Sequence, residues 1–282
     1  MYQLADRIAN TLHSPRIDSI YCDLSVNAAF GRHGWLQKRQ LMLGIPLLSI
    51  LNGQEFVALF SHEIAHGVNG DPTRNLFLRS AMYSLAAWHE LIHPRNRWHV
   101  FVGPAQMLLF IFNLISWPVA GLIWLLGYGL SHLLWYDSQR AEYMADMLAS
   151  RMSGTQAQLT TLDKVQLREL FLHRLKFAYI DRKGQRFFDD FKNRVALVPA
   201  REYERLRRID QVTSTQFGSS HPPSAFRAKF LGKHPVPQAE ITLSAAEVEV
   251  LEREIPSLME AAQQFAFALD DITFREYFAV SW

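Results

Sequence analysis

The sequence predicts an α+β fold that is mainly helical, with a small β-sheet beside a buried helix, further helices after it, and an apolar helical hairpin in between. Three observations predict it. Two short runs near the amino terminus, Ile20–Val26 and Gln40–Ile45, have the apolar content of strands. Most of the remaining chain has helical spacing punctuated by capping signals, whereas residues 101–136 are apolar, with His132 the only side chain among them that would carry a charge. The domain reading follows from these. Residues 1–100 and 137–282 are expected to be two halves of one folded unit, and residues 101–136 the hairpin between them.

Composition bounds what this unit does. The chain has 282 residues and is 49% hydrophobic, enough to bury a substantial core. A formal net charge of +2, from 29 basic and 27 acidic residues, supplies no global field to attract nucleic acid, so no nucleic-acid partner is expected. Cys22 is the only cysteine. An intrachain disulfide and a thiolate metal site are both excluded, and any metal must rest on His, Asp and Glu. The amino-terminal stretch MYQLADRIANTLHSPRIDS has acidic residues and no apolar core of signal-peptide length, which gives a cytosolic start as the expectation.

Taken in order, residues 4–13 form a short amphipathic helix, and the turn-rich NAAFGRHG, residues 27–34, connects the two strands. Asn52 stands three residues before Glu55, a capping-box start for a helix that runs to Val68. Phe56, Val57, Leu59, Phe60, Ile64 and Val68 surround that helix, so it should be buried nearly all round. A second helix runs from Arg74 to about Ile92 and stops against Pro94. Residues 137–152 are helical by propensity, and amphipathic helices separated by KGQ, VP and SSHPP come after them. Ser244 and Glu247 cap the last long helix, which should end near Asp271.

Two stretches carry the metal-binding pattern H-E-x-x-H: residues 62–66, HEIAH, and residues 89–93, HELIH. The pattern works because residues four apart share one helix face, so that two imidazoles reach one zinc while the Glu stands beside the water-filled position. Both histidines must therefore be helical. His62 and His66 satisfy this inside a buried helix that excludes water. His93 precedes Pro94, whose ring disfavours the α conformation there, so HELIH reads as a helix end. Asn69 and Pro72 stand where a metzincin needs Gly and His, which leaves a glutamate on a later helix as third ligand. Glu90 and Glu142 are the candidates. Glu142 is favoured because Asp146 lies one turn further on, placed to hydrogen-bond a ligand histidine and set its tautomer.

The ordered set of HEIAH with Asn69-Gly70-Asp71, then Glu142-Tyr143-Met144-Ala145-Asp146, then Ser220-His221-Pro222-Pro223 with Arg227, resembles the HtpX-like and CAAX-prenyl-protease-like membrane gluzincin peptidases, metallopeptidase family forty-eight. The likeness extends from about Asn27 to Leu231. It implies a zincin core with one Zn²⁺ per chain held by His62, His66 and Glu142, Glu63 as general base, and Asp146 supporting the ligands. His221 and Arg227 are then candidates to approach the site and stabilise a developing oxyanion, although a His-Pro turn and an exposed helix arginine would have the same letters. Substrates would be proteins or peptides, with the strand around Arg39–Ile45 offered to an extended chain by edge addition. The alternative is a catalytically silent zinc-binding membrane scaffold or chaperone-like protein.

One zinc also constrains the apolar block. Because His62, His66 and Glu142 must meet, the chain between them can cross a bilayer only an even number of times. Divided at Asn113–Pro118, the block gives two halves each roughly 24 Å long as helix, a hairpin that spans a thinned membrane or dips into it, the alternative being a pair of helices in a soluble core. Arg95 and Arg97 before it and Arg140 after it put both ends, and the active site, on the cytosolic side of the membrane, with lipid as a further partner.

Overall fold

A computed structural model describes residues 1–93, 104–181, 184–213 and 222–278. The expected class is found, a mostly helical molecule with one small sheet. Helix α1, Tyr2–Thr11, buries Leu4, Ala5, Ile8 and Ala9, the face its apolar spacing demands. The strands β1 (Ser19–Asp23), β2 (Ala28–His33) and β3 (Lys38–Gly44) form a sheet of order β1-β3-β2, with β1 parallel and β2 antiparallel to β3.

Two expectations change here. NAAFGRHG is not a turn but mostly strand β2, because its residues gain pairing partners in β3 from Ala28↔Leu43 to His33↔Lys38, and that register overrides the weak strand propensity of Ala and Gly. As a result β3 is central, paired on both sides, and has no free edge for a substrate; β2 has one. Gly44 ends β3 at a close approach where a Cβ would lie 1.8 Å from the Ser25 carbonyl oxygen, so only glycine fits.

The short α2, Ile45–Leu48, leads into α3, Gly53–Val68. The Asn52 capping box is complete: the Asn52 side chain accepts from the Glu55 N–H, and Glu55 Oε2 accepts from the Asn52 N–H at 2.7 Å. Lys164 Nζ donates to the same Glu55 oxygen at 2.6 Å. Every residue of α3 from Glu55 to Ala65 is buried, as its all-round apolar pattern predicts.

Helix α4, Asp71–Ile92, leaves the body, and α5, Pro104–Ser153, packs along it and returns. His93 has ψ 125°, outside the helical range, as a residue before proline should. The apolar block does not fold back at Asn113–Pro118. Pro118 sits inside one continuous 50-residue helix, and the hairpin is formed by α4 and α5 instead. A lone proline removes one backbone hydrogen bond and bends a helix, but reversing the chain needs a turn, and the residues after Pro118 continue as apolar helix. Outward-facing Leu114, Ile115, Trp117 and Leu125 leave the apolar part of α5 largely uncovered. α4 and α5 run side by side, and α5 brings Glu142 back to the face of α3 that carries His62 and His66.

The remaining helices are α6 (Thr155–Val165), α7 (Arg168–Ile180), α8 (Phe187–Ala196), α9 (Ala200–Thr213), α10 (Ser224–Lys233), α11 (Ala245–Ala268) and α12 (Asp271–Phe278). The Ser244–Glu247 capping box of α11 is present. The last helical segment is broken before Asp271, where Asp270 accepts from the N–H groups of Ile272 and Thr273 and starts α12. Phe171, Phe187, Phe188, Phe191 and Phe274 lie in the same core as α1, the sheet and α3.

Candidate metal centre

Helix α3 presents His62 and His66 one turn apart, and α5 presents Glu142 and Asp146 one turn apart on the facing side. His62 Nε2 and His66 Nε2 are 3.3 Å apart, His62 Nε2 lies 3.5 Å from Glu142 Oε2, and His66 Nε2 lies 3.6 Å from Glu142 Oε1. Bonds of about 2.0–2.1 Å to a tetrahedral zinc separate two ligand atoms by about 3.3–3.4 Å, so the three donors fit such an ion. Among the described residues, these three form the group of His, Cys, Asp and Glu donors that converges. His89 and Glu90 belong to no such group among those residues. They line a cavity of 640 Å³ between α4 and α5, together with His93, Trp124, Tyr128 and Ser131.

Asp146 is fully buried and organises the next layer. Its Oδ1 lies 3.2 Å from His62 Nδ1 and accepts from Gln158 Nε2 at 2.9 Å. Arg227 grips both carboxylate oxygens, with Nε 2.7 Å from Oδ2 and Nη2 2.6 Å from Oδ1. The same guanidinium reaches Glu142 Oε2 at 3.3 Å and His62 Nε2 at 3.4 Å. Burial alone would lower the pKa of His62, but the Asp146 and Glu142 carboxylates overcome it and raise it to about 10. Burial alone would raise the pKa of Asp146, but the Arg227 guanidinium overcomes it and holds the carboxyl at about 2. Both carboxylates hold the Arg227 pKa above its usual range against the pull of burial.

The centre opens into a cleft of 430 Å³. Glu63 lines it, 7% exposed, and Asn27 to Phe30, the residues leading into and along β2, form one wall. The Phe30 ring packs where a Cβ on Gly67 would stand, which holds β2 against α3.

His62, Glu63, His66, Glu142, Asp146 and Arg227 are thus brought together, whereas His221 lies outside the described residues, as do Arg95 and Arg97. Arg227 is anchored on a carboxylate rather than standing free in the cleft. Two participants have no signal in the sequence. Gln158 is an amide on an ordinary helix, 12 residues from Asp146, and the free edge of β2 depends on long-range strand order.

Residues 3–234 match the family described as Peptidase family M48. The chain is 24% identical over 247 residues to a protein named Protease HtpX homolog from Pyrobaculum calidifontis, an overlap covering 84% of this chain and 68% of that protein. No solved structure matches.

Proposed function

The chain belongs to peptidase family M48, a metal-dependent protease family, and from that premise we propose that it is a membrane-associated zinc endopeptidase that cleaves membrane or unfolded proteins at the His62–His66–Glu142 centre. The convergence of those three donors beside a buried carboxylate, Glu63, carries this reading.

His62, His66 and Glu142 would hold the zinc, which when bound would lower the pKa of a water and polarise a carbonyl. The rest is done by side chains of this chain. His62 and His66 are fixed by helix α3. Asp146 Oδ1 lies 3.2 Å from the Nδ1 side of His62, and Nε2 is the nitrogen turned to the centre. Glu63 takes the proton of the attacking water on its carboxylate and passes it to the leaving amine. Arg227 keeps Asp146 ionised and sets the position of Glu142, a positioning role. His221 is retained as a donor to the developing oxyanion. The edge of β2 at Ala28–Phe30, rather than β3, would pair with an extended substrate along the cleft wall.

The membrane part rests on α5, a helix long and apolar enough to cross a bilayer, of whose most apolar window only 17% is buried within the molecule. The α4–α5 pair enters the membrane with lipid against the outer face of α5, and the polar groups of α4 near its end gather around the cavity shared with Tyr128 and Ser131. Both ends of the pair, and the metal centre, lie on the cytosolic side.

The decisive experiment is the purified full chain, loaded with zinc, incubated with an unfolded protein substrate. Wild type should cleave it, and Glu63→Gln should bind the same amount of zinc and leave the substrate intact. Wild type that holds zinc and cleaves nothing would favour the silent scaffold instead.

A further inference from the structure

Trp35 is 99% exposed and its neighbour Leu36 is 79% exposed. Both occupy the tight turn between β2 and β3. Gly34 takes a left-handed φ of 72°, and the backbone N–H and side-chain amide of Gln37 both donate to the Gly34 carbonyl, at 3.1 and 3.2 Å. The turn is therefore closed by its own hydrogen bonds and holds two adjacent apolar side chains in solvent. Single exposed apolar residues are ordinary. A Trp-Leu pair at the tip of a hydrogen-bonded hairpin has a cost that calls for a partner.

The strands behind the tip indicate the partner's charge. The register sets Arg32 directly opposite Arg39 and His33 opposite Lys38. Two guanidinium charges facing each other across a sheet, as those of Arg32 and Arg39 do, are destabilising. Asp18, 3.4 Å from the Arg39 guanidinium, accounts for one of them. The hairpin thus ends in an apolar point with a cationic collar. Its placement agrees: β2 passes the last turn of α3, where Phe30 meets Gly67, and packs against the base of α4. The hairpin is thereby in contact with the α4–α5 pair through α4.

We propose that the β2–β3 turn is a lipid-docking element: Trp35 and Leu36 enter the interfacial layer of an anionic bilayer, and Arg32 and Lys38 face its headgroup phosphates. This contact is separate from peptide hydrolysis and from insertion of α5. It would hold the open edge of β2 close to the membrane surface, where a chain leaving the bilayer is first accessible.

The test uses the full chain carrying Cys22→Ser and Leu36→Cys, labelled with an environment-sensitive fluorophore and reconstituted in vesicles of phosphatidylglycerol and phosphatidylcholine that contain a headgroup-attached nitroxide lipid. Labels at Leu122→Cys in α5 and Glu260→Cys in α11 report the membrane interior and water. The label at position 36 should shift to the blue and lose most of its emission, and this loss should largely disappear in pure phosphatidylcholine, in high salt, or with Arg32→Glu added. A position 36 label as exposed to water as the one at 260 overturns the proposal, whatever the label at 122 reports. Equal quenching in neutral and anionic vesicles overturns it too, as does a shift that follows added unfolded protein instead of lipid.

Discussion

Arg227 and Asp146, 81 residues apart in the chain, meet in a two-pronged ion pair whose hydrogen bonds are 2.7 and 2.6 Å long, next to the converging ligands. Neither residue is more than 9% exposed, and each is the two-pronged partner of the other's buried charge, with Glu142 a more distant second contact of the guanidinium at 3.3 Å. Removing one partner should cost far more than weakening both. Asp146→Ala leaves the buried guanidinium with only the longer contact to Glu142 and is expected to destabilise the fold by about 3 kcal/mol. Arg227→Lys keeps the charge but loses the fork; it should fold and bind zinc about 10–100-fold more weakly. Urea unfolding and zinc competition against a chelator measure the two effects. Equal zinc affinity in Arg227→Lys and wild type would remove the positioning role.

The two H-E-x-x-H stretches make opposite predictions. Glu142→Ala should abolish stoichiometric zinc binding, while Glu90→Ala should leave it near one ion per chain, because Glu142 and not Glu90 stands with His62 and His66. Metal content of the purified variants decides, and loss confined to Glu90→Ala would reverse the ligand assignment.

The metal-free protein should have its own pH dependence. The His62 pKa is raised from 6.5 to about 10, so the stability this contributes is complete below about pH 6.5 and is lost as pH rises towards 10. The Asp146 pKa is lowered from 3.8 to about 2, so its contribution is present above about pH 3.8 and is lost as pH falls towards 2. Thermal melts of the chelator-treated protein should therefore show highest stability from these two groups between about pH 4 and 6.5. Zinc needs His62 neutral, so binding releases its proton, and affinity should climb by about tenfold per pH unit through the neutral range. Zinc affinity that is flat with pH would contradict this account of His62.

The start of α3 tests whether the ligand helix is held locally. Asn52→Ala removes the acceptor for the Glu55 N–H and should cost about 1 kcal/mol. Lys164→Met removes the charged donor to the buried Glu55 carboxylate and should cost about 1.5–3 kcal/mol. Because both act on Glu55, at the opposite end of α3 from His66, zinc stoichiometry at low temperature should be unchanged in each.

Membrane association has a simple readout. The full chain should remain with the membrane pellet through an alkaline carbonate wash, which strips proteins held only by charge. Replacing outward-facing Leu114, Trp117 and Leu125 with Ser should move it towards the supernatant. Persistence of that triple variant in the pellet would assign retention elsewhere.

What the sequence disclosed depended on range. The ligand helix, its capping box, the choice of HEIAH over HELIH, and the pairing of Glu142 with Asp146 all follow from spacings of three or four residues, which a helix turns directly into geometry. The grip of Arg227 on Asp146, the amide of Gln158 and the central position of β3 depend on which distant segments meet, and no local period encodes that. β2 was hidden for the same reason, its Ala- and Gly-containing sequence being strand only in the company of β3. The apolar block was recognisable as such, but its path was not. Composition marked a length of apolar surface, while the hairpin partner came from the less apolar α4.

That path has a mechanical consequence. α5 is 50 residues long, a rod of about 75 Å, and no proline interrupts it between Val119 and Glu142. Glu142 and the apolar shaft beyond Pro118 therefore belong to one helical segment, with the body of the protein as fulcrum. A tilt forced on the shaft by a thicker or thinner bilayer would be delivered, undamped by any loop, to the carboxylate that closes the metal centre.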